Sequence, residues 1–295
     1  MLNLDLLING LIIGVFYALM AVGLSLIFGI LKIVNFAHGE FYMVGAYAYT
    51  LAAAMLKVPP WLALPVAFFA GAILGLVVER LLMRPLYAGY TSWGLKRDEY
   101  AVIVTFALSI LLINLVDKFV GPYGFRGPPL ATGRVHLGPA IVSGHRLVAA
   151  LVAIALVAGT MLLVRYSHWG RQIQAVAQNR LGASLAGTDP AKVSGIVFAL
   201  AGGLAAVSGA LLANVFNSTP DVGVFPATKA YVIIVLGGMG SIAGAVVASL
   251  LLGVLESLGS VYISYEYRDT FGLIILMLVL LVRPQGLLGE RSREV

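Results

Sequence analysis

Several polar side chains lie close together in residues 32–47, KIVNFAHGEFYMVGAY, between two long apolar stretches. An Asn before a helix caps free backbone N–H groups with its side-chain oxygen. An acidic residue near the start of a helix is stabilised by the positive end of the helix dipole. The spacing therefore predicts Asn35 as an N-cap and Glu40 in the first turn or two, with His38 on the same loop. Lys32, Gly39 and Gly45 accompany them.

Residue patterns for other kinds of chemistry are absent from the sequence. No Gly precedes a Lys, which excludes the phosphate-binding loop of an ATPase. The four histidines sit in separate loops without partners four residues away, so no metal site is indicated. There is no cysteine and no nucleophile–base pair. The sequence thus predicts no catalytic residue, no metal and no cofactor.

The composition places these residues in a membrane protein. Hydrophobic residues make up 60% and charged residues 11% of the chain, whereas a soluble domain carries about 25% charged residues. Several apolar runs exceed the ~18 residues that mark a membrane-spanning helix. The pI near 9.5 fits basic cytoplasmic loops, so no nucleic-acid partner is expected.

We predict an all-α polytopic membrane protein with one transmembrane domain over residues 1–295 and about eight helices. Because residues 1–4 contain no Lys or Arg, the first apolar run is expected to be a retained span and not a signal peptide. The predicted helices are Leu6–Leu31, Phe41–Leu56, Trp61–Leu82, Tyr100–Val120, Leu147–Val164, Val193–Val215, Pro226–Leu258 and Thr270–Val282.

Lys and Arg residues favour the cytoplasmic side, and most of the 19 in this chain fall there if residues 84–99, 165–192 and the C-terminal tail are cytoplasmic. Residues 217–225 and 262–269 must then lie outside. The apolar segment 226–258 therefore has to enter the membrane and return, as two short helices or as a re-entrant hairpin. The side on which Met1 lies stays open.

A glycine-rich break within residues 235–244 offers the bend for that return. Gly237, Gly238 and Gly240 interrupt the apolar segment. Irregular backbone at membrane depth persists only where protein or a water-filled cavity satisfies it, which favours a pathway. The alternative is close helix packing at the small-residue motif of Gly240 and Gly244.

Residues 168–195, HWGRQIQAVAQNRLGASLAGTDPAKVSG, predict a short amphipathic helix that Gly170 opens and Gly187 closes. Asp189 and Pro190 are expected to start the next helix. A helix this short does not span a membrane, so it rests on lipid or docks into the groove of a partner. Its predicted apolar face consists of Ile173, Val176, Ala177, Leu181 and Leu185.

Four separated stretches resemble a known family: GLSLIFGILKIVNFAHGEFYMVGAY, RQIQAVAQNRLGASLAG, VLGGMGSIAGAVV and VRPQGLLG. They are similar, in the same order, to the permeases of branched-chain amino acid ABC transporters, the LivH-type inner-membrane subunit. The resemblance implies a multi-pass subunit of the bacterial inner membrane. Its implied partners are a second homologous permease, two ABC ATPases, a periplasmic solute-binding protein and membrane lipid.

The resemblance also implies roles for individual residues. In the family the cytoplasmic Ala–Gly loop is the coupling helix that sits in a cleft of the ATPase. The matching residues here are Arg171, Ala175, Ala177, Gln178, Asn179, Ala183 and Gly187. A gating or pathway role is implied for Asn35, His38, Gly39, Glu40 and Gly45, and is expected for Gly237, Gly238 and Gly240.

The pathway would carry small, mostly apolar amino acids or related solutes, and residues 121–146 and 217–225 would receive the binding protein. An ion-coupled secondary transporter with discontinuous helices is the alternative, although Glu40, Glu79, Asp117 and Glu256 are all expected near helix ends, which disfavours it. The polar candidates along the pathway are Ser25, Asn114, Ser208, Asn214 and Ser241.

Overall fold

The computed structural model of the chain describes residues 4–87, 96–137, 140–264 and 266–289. Residues 88–95 of the predicted cytoplasmic connection and the cations Arg291 and Arg293 of the tail lie outside this range. The helices are α1 Leu4–Leu31, α2 His38–Met55, α3 Pro60–Val78, α4 Arg84–Tyr87, α5 Arg97–Val120, α6 Gly144–Tyr166, α7 His168–Gln178, α8 Arg180–Leu185, α9 Pro190–Leu212, α10 Val224–Gly237, α11 Ile242–Tyr262 and α12 Arg268–Val282.

The predicted fold class is confirmed. Within the described residues, six helices are long and apolar enough to cross a membrane: α1, α3 with its continuation to Leu86, α5, α6, α9 and α11. α10 and α12 are shorter, and α2 begins with polar residues. The eight predicted segments become nine helices, because residues 226–258 form both α10 and α11. A π-helical turn, Glu79–Met83, joins α3 to α4.

One small sheet was not expected from the sequence. Strand β1, Arg134–Leu137, pairs antiparallel with strand β2, Ala140–Ser143. β2 leads directly into α6. The sheet belongs to the connection between α5 and α6, outside the apolar helices.

The predicted helices begin one to three residues later than the observed ones. The sequence prediction started each helix at its first apolar residues, whereas the first turn of a helix accommodates polar and proline residues. α5 shows this, because Asp98 and Glu99 lie in its first turn.

α9 is the central helix of the bundle and packs against α1, α2 and α3. A Cβ atom added to Gly45 of α2 would collide with the backbone of Ala206 in α9. Gly71 of α3 makes an equally close approach to Gly202. Small residues allow helix backbones to approach closely in lipid, and here they do so within one subunit.

The helix directions define two ends of the molecule. α1 and α11 run antiparallel, since Gly10 packs on Val254 and Gly29 packs on Gly240. Ile242 at the start of α11 lines a groove together with Gln174 of α7. We call the end with α7 and α8 the hairpin end. The N-terminus of α1 therefore lies at the other end, the sheet end, where α1 contacts β2.

The chain between α1 and α2 is not helical, yet Ile33, Asn35 and Ala37 are buried. α2 starts at His38, which contacts Met20 and Gly23 near the middle of α1. The segment 32–37 thus runs back along α1 before α2 begins. The break predicted near residues 32–45 is confirmed.

A second interruption precedes α10 and was missed. Residues 217–225 were expected in an outside loop, and Ser218 does lie at the sheet end against Phe125. The chain then turns inward, so that Gly223 packs on the backbone of Gly39. The first residues of α2 and α10 therefore meet inside the protein, an arrangement typical of discontinuous helices in transporters.

Candidate functional site

Asn35 fixes the non-helical segment before α2. Its side-chain oxygen accepts a hydrogen bond from the N–H of Ala37 at 3.1 Å, and its backbone oxygen accepts one from the Tyr231 hydroxyl at 3.0 Å. The N-cap position of α2 is Ala37, without a side-chain cap. The prediction of Asn35 as the N-cap was therefore wrong, because its side chain closes a tight turn before α2 begins, while its backbone oxygen ties that turn to α10.

His38 anchors the start of α2 to α1. It is fully buried, and its Nε2 lies 3.2 Å from the backbone oxygen of Met20. Since a carbonyl oxygen only accepts, Nε2 carries the proton. Nδ1 has no hydrogen-bond partner in the part of the chain that the structure describes. At the start of α2, His38 thus uses only one of its two ring nitrogens in a hydrogen bond within the described residues.

Glu40 is in the first turn of α2, as predicted, and is buried. Its Oε1 accepts a hydrogen bond from Ser109 of α5 at 2.7 Å, and Oε2 has no partner among the described residues. α5 also accepts a hydrogen bond from the N–H of Phe36 through Thr105, at 3.1 Å. Ser109 and Thr105 were missed; the only signal in the sequence was two hydroxyl residues four apart in an apolar helix.

The glycines of the break between α10 and α11 make close packing contacts. Gly238 and Gly240 have φ of +104° and +87°, a region that glycine occupies without strain. Gly237 packs on the backbone of Gly244, and Gly240 packs on Gly29. Of the two alternatives, these contacts support helix packing, while a pathway role for these glycines remains a prediction.

The C-terminal motif VRPQGLLG covers this turn. The N–H groups of Leu287 and Leu288 donate to the backbone oxygens of Leu236 and Gly237, at 2.8 and 2.9 Å. The two motifs VLGGMGSIAGAVV and VRPQGLLG, separated in sequence, are thus one structural unit at the hairpin end.

The predicted single helix of residues 170–187 is in fact two helices, α7 and α8. Asn179 is extended, with φ −150° and ψ 103°, and caps α8 by accepting from the N–H of Gly182 at 2.8 Å. Ser167 caps α7, so Gly170 does not open the helix but packs on Val164 in its first turn. Gly187, with φ +86°, ends the segment as predicted.

The break at Asn179 also changes the apolar face. Ile173 and Val176 are buried as expected, whereas Leu181 and Leu185 are 72% and 83% exposed. The prediction of one continuous apolar face was wrong, because α8 does not continue the helical repeat of α7. Five of the seven predicted coupling residues are exposed: Arg171, Ala175, Gln178, Asn179 and Gly187. Ala177 is half-buried and Ala183 is buried.

Asp189 and Pro190 begin α9 as predicted. Asp189 accepts hydrogen bonds from the N–H groups of Ala191 and Lys192, at 2.9 and 3.3 Å. Its carboxylate also pairs with the exposed Lys192 side chain at 3.8 Å. Side-chain caps therefore lie at both ends of the hairpin α7–α8, Ser167 at the start of α7 and Asp189 at the start of α9.

The polar candidates for the pathway do not converge. Ser25 is buried without a partner among the described residues. Asn114 is exposed on α5 and bonds to Ile110 of its own helix. Asn214 holds the connection at the sheet end by donating to Gly127, and Ser241 caps α11. Only Ser208 of the five lines the cavity described next.

A cavity of about 610 Å³ lies between α1, α9 and the start of α10. Its wall includes Phe16, Tyr17, Leu212 and Phe225. Asn9, at the start of α1, also lines it. The cavity thus extends toward the sheet end. Volumes of this order are typical of small-molecule sites.

A buried ion pair was missed by sequence reasoning. Lys229 of α10 contacts Glu256 of α11 at 2.5 Å, and Tyr17 of α1 donates to the other carboxylate oxygen at 2.9 Å. Glu256 was expected near a helix end. That expectation was wrong, because Glu256 is buried and lies well inside α11; Lys229 is buried as well. The available signal was a Lys and a Glu within the otherwise apolar segment 226–258.

Glu79 is likewise buried and not at a helix end, since the π-helical turn continues α3 through it. Within the described residues no cluster of His, Asp and Glu is suited to hold a metal ion.

Known proteins resemble this chain over nearly its whole length. The family model described as "Branched-chain amino acid transport system / permease component" matches residues 6–282. The high-affinity branched-chain amino acid transport system permease protein LivH of Salmonella typhimurium is 35% identical over 97% of this chain and 95% of its own length. The corresponding protein BraD of Pseudomonas aeruginosa is 33% identical over 99% and 97%.

The permease protein LivM of Escherichia coli, from the transport system of the same description, is 27% identical over 92% of this chain and 67% of its own length. No solved structure matches the chain significantly. The family match covers the interrupted helices and the hairpin together. The chain belongs to the family of branched-chain amino acid transport system permease components.

Proposed function

We propose that this chain is the permease subunit of an ATP-driven importer for branched-chain or related apolar amino acids. The observation that carries the proposal is the exposed hairpin α7–α8, which presents Leu181 and Leu185 on one end of a membrane bundle. Exposed apolar side chains rimmed by polar residues are typical of protein contact sites. The names of the full-length relatives supply the substrate class.

The proposed partners follow from the two ends of the molecule. Two ABC ATPases bind at the hairpin end, in the cytoplasm, because Lys and Arg residues concentrate there. A periplasmic solute-binding protein docks at the sheet end, on residues 121–146 and 217–225. A second permease related to LivM completes the pathway within the bacterial inner membrane.

The orientation that follows places the N-terminus of α1 outside the cell. α1 contacts β2 at the sheet end, and α9 rises from the hairpin to that end. The side of Met1, open from the sequence, is thereby proposed as periplasmic.

The gate is proposed at the meeting point of α2 and α10. Asn35, His38 and Glu40 connect this point to α10, α1 and α5 respectively. Movement of one of these helices relative to the start of α2 would therefore change one of those hydrogen bonds. Gly39 and Gly45 keep α2 in direct contact with α10 and α9, so a displacement of one of these helices is transmitted to α2.

The experiment is purification from the native membrane followed by reconstitution. We expect P-loop ATPases to co-purify and leucine uptake to stop when ATP is depleted. Uptake that survives ATP depletion but collapses with the ion gradient would contradict an ATP-driven importer and support a secondary transporter.

A hairpin variant tests the coupling role directly. Replacing Gln178 and Asn179 by Ala should leave the ATPases bound but reduce uptake per ATP hydrolysed at least fivefold, since Asn179 sets the angle between α7 and α8. Lys192→Met, an exposed change just beyond the hairpin, is the matched control and should preserve uptake. Normal uptake in the double variant would exclude the coupling role.

A further inference from the structure

The cavity and the buried ion pair are neighbours that share a wall. Tyr17 lines the cavity and donates its hydroxyl hydrogen to Glu256. Phe225 also lines the cavity, and the Lys229 ammonium lies 5.3 Å from the centre of its ring. One aromatic side chain therefore stands between the cavity and each charge of the pair.

Most of the rest of the cavity wall is apolar, with Ile12, Ile13, Phe16 and Leu212 forming much of it. Its charged members, Arg146 and Glu266, are exposed. A ligand with an aliphatic body and two opposite charges at one end would find a largely apolar wall, with the buried pair behind Tyr17 and Phe225.

Resting on the proposed function, we propose that Lys229 and Glu256 are the recognition pair for the zwitterionic end of the transported amino acid. The ligand carboxylate binds the Lys229 ammonium, and the ligand ammonium binds the Glu256 carboxylate. Tyr17 and Phe225 swing aside to admit this end, while the aliphatic side chain occupies the cavity. Specificity for apolar amino acids follows, because a charged side chain would lose its hydration in the cavity.

Self-pairing explains how such charges persist in the empty protein. A lone buried charge is costly, and a paired one much less so. When the ligand arrives, one internal ion pair is exchanged for two ion pairs to the ligand. Competition from the internal pair keeps binding weak and reversible, as required of a site that must release its ligand.

A purely structural role for Lys229 and Glu256 explains these contacts less well than ligand recognition does. α10 and α11 are already joined by their turn and by the contact of Gly237 with Gly244. A buried ion pair is often no more stabilising than well-packed apolar residues. Nor does a structural role explain why Tyr17 faces both the carboxylate and the cavity.

The first test replaces both charges by neutral side chains of similar length, Lys229→Met with Glu256→Gln. Because neither charge is left alone, the variant should assemble with its partners in normal amounts. We expect leucine uptake to fall at least tenfold. A structural pair predicts uptake close to that of the parent, which would overturn the proposal.

The second test keeps both charges and uses the absence of cysteine from the chain. Ile13→Cys places a thiol on the cavity wall of the assembled complex, and a small maleimide reports its accessibility. Excess L-leucine should slow labelling at least fivefold. Leucinamide and N-acetylleucine, which each lack one of the two charges, should protect less.

Lys57→Cys, exposed between α2 and α3 and outside both the cavity wall and the residues proposed to receive the binding protein, is the control and should label equally with and without leucine. Equal labelling of Ile13→Cys with and without leucine, or equal protection by all three compounds, would overturn the site. Leucine uptake in the same preparation shows whether the proposed function fails as well.

Discussion

Polar side chains occupy two contrasting environments in this chain, the hairpin α7–α8 and the contact between α10 and α11. On the hairpin, Gln178 and Asn179 are exposed beside Leu181 and Leu185, so apolar groups that would normally be buried face outward. At the other contact, Lys229 and Glu256 are charged yet sealed among helices. Each region reverses the usual distribution of polar and apolar groups.

The difference shows which kind of partner each region suits. Covering exposed leucines on a short, capped helix with a protein surface lowers the free energy, because their apolar side chains leave water. Buried opposite charges gain little from a protein surface, but they suit a small ligand that carries both charges. Under the proposed roles, contact with macromolecules and contact with a solute lie at different depths of the same membrane bundle.

The largest effect on stability is expected from breaking the buried pair. Lys229→Met leaves the Glu256 carboxylate without its cation, which should cost about 3–5 kcal/mol of unfolding free energy. Denaturant titration in mixed micelles measures this loss. Adding Glu256→Gln to the same variant should restore most of it; if the double variant is no more stable than the single one, the two charges do not act as a pair.

A smaller loss is expected at a helix crossing. Gly45→Ala forces a methyl group into the backbone of Ala206, and overpacking of this kind costs about 1–3 kcal/mol. Gly159→Ala is the matched control, because nothing lies within 4 Å of the added atom. Thermal unfolding in detergent should rank the control at or above the parent, and a Gly45→Ala protein as stable as the control would show that this crossing is loose.

The smallest effect on stability is expected on the hairpin. Leu181→Ser removes an exposed side chain and should change the unfolding free energy by less than about 0.5 kcal/mol, whereas Ile173→Ser in the buried face of α7 should lose several times more. Thermal unfolding of the isolated subunit compares the two. Comparable losses would mean that α8 packs against its own subunit.

Much of the fold was predictable because membrane spans need long apolar runs. The breaks after α1 and between α10 and α11 were also predictable, since polar and glycine residues interrupt those runs at Asn35 and Gly238. The start of α9 follows from local effects alone, the Asp189 cap and the fixed backbone angle of Pro190. These features depend on residues near one another in sequence.

The functional details depended on contacts between distant residues. Glu256 was expected near a helix end because its charge was judged without Lys229. Their pairing, with Tyr17 more than two hundred residues away in sequence, makes burial possible. Asn179 was predicted to lie within a continuous helix. Its side chain instead accepts a hydrogen bond from the N–H of Gly182, and its extended backbone ends α7 before α8 begins.

The sequence by itself determined that this chain is a membrane-spanning helical protein, because hydrophobicity acts within single segments, and four of its motifs resemble a family of permeases. Only the tertiary structure decided where the second interrupted helix begins, which leucines of the hairpin stay exposed, and that two charges face each other behind the cavity. The physical reason is that burial and ion pairing belong to pairs of segments, and a pair is defined only when the helices pack.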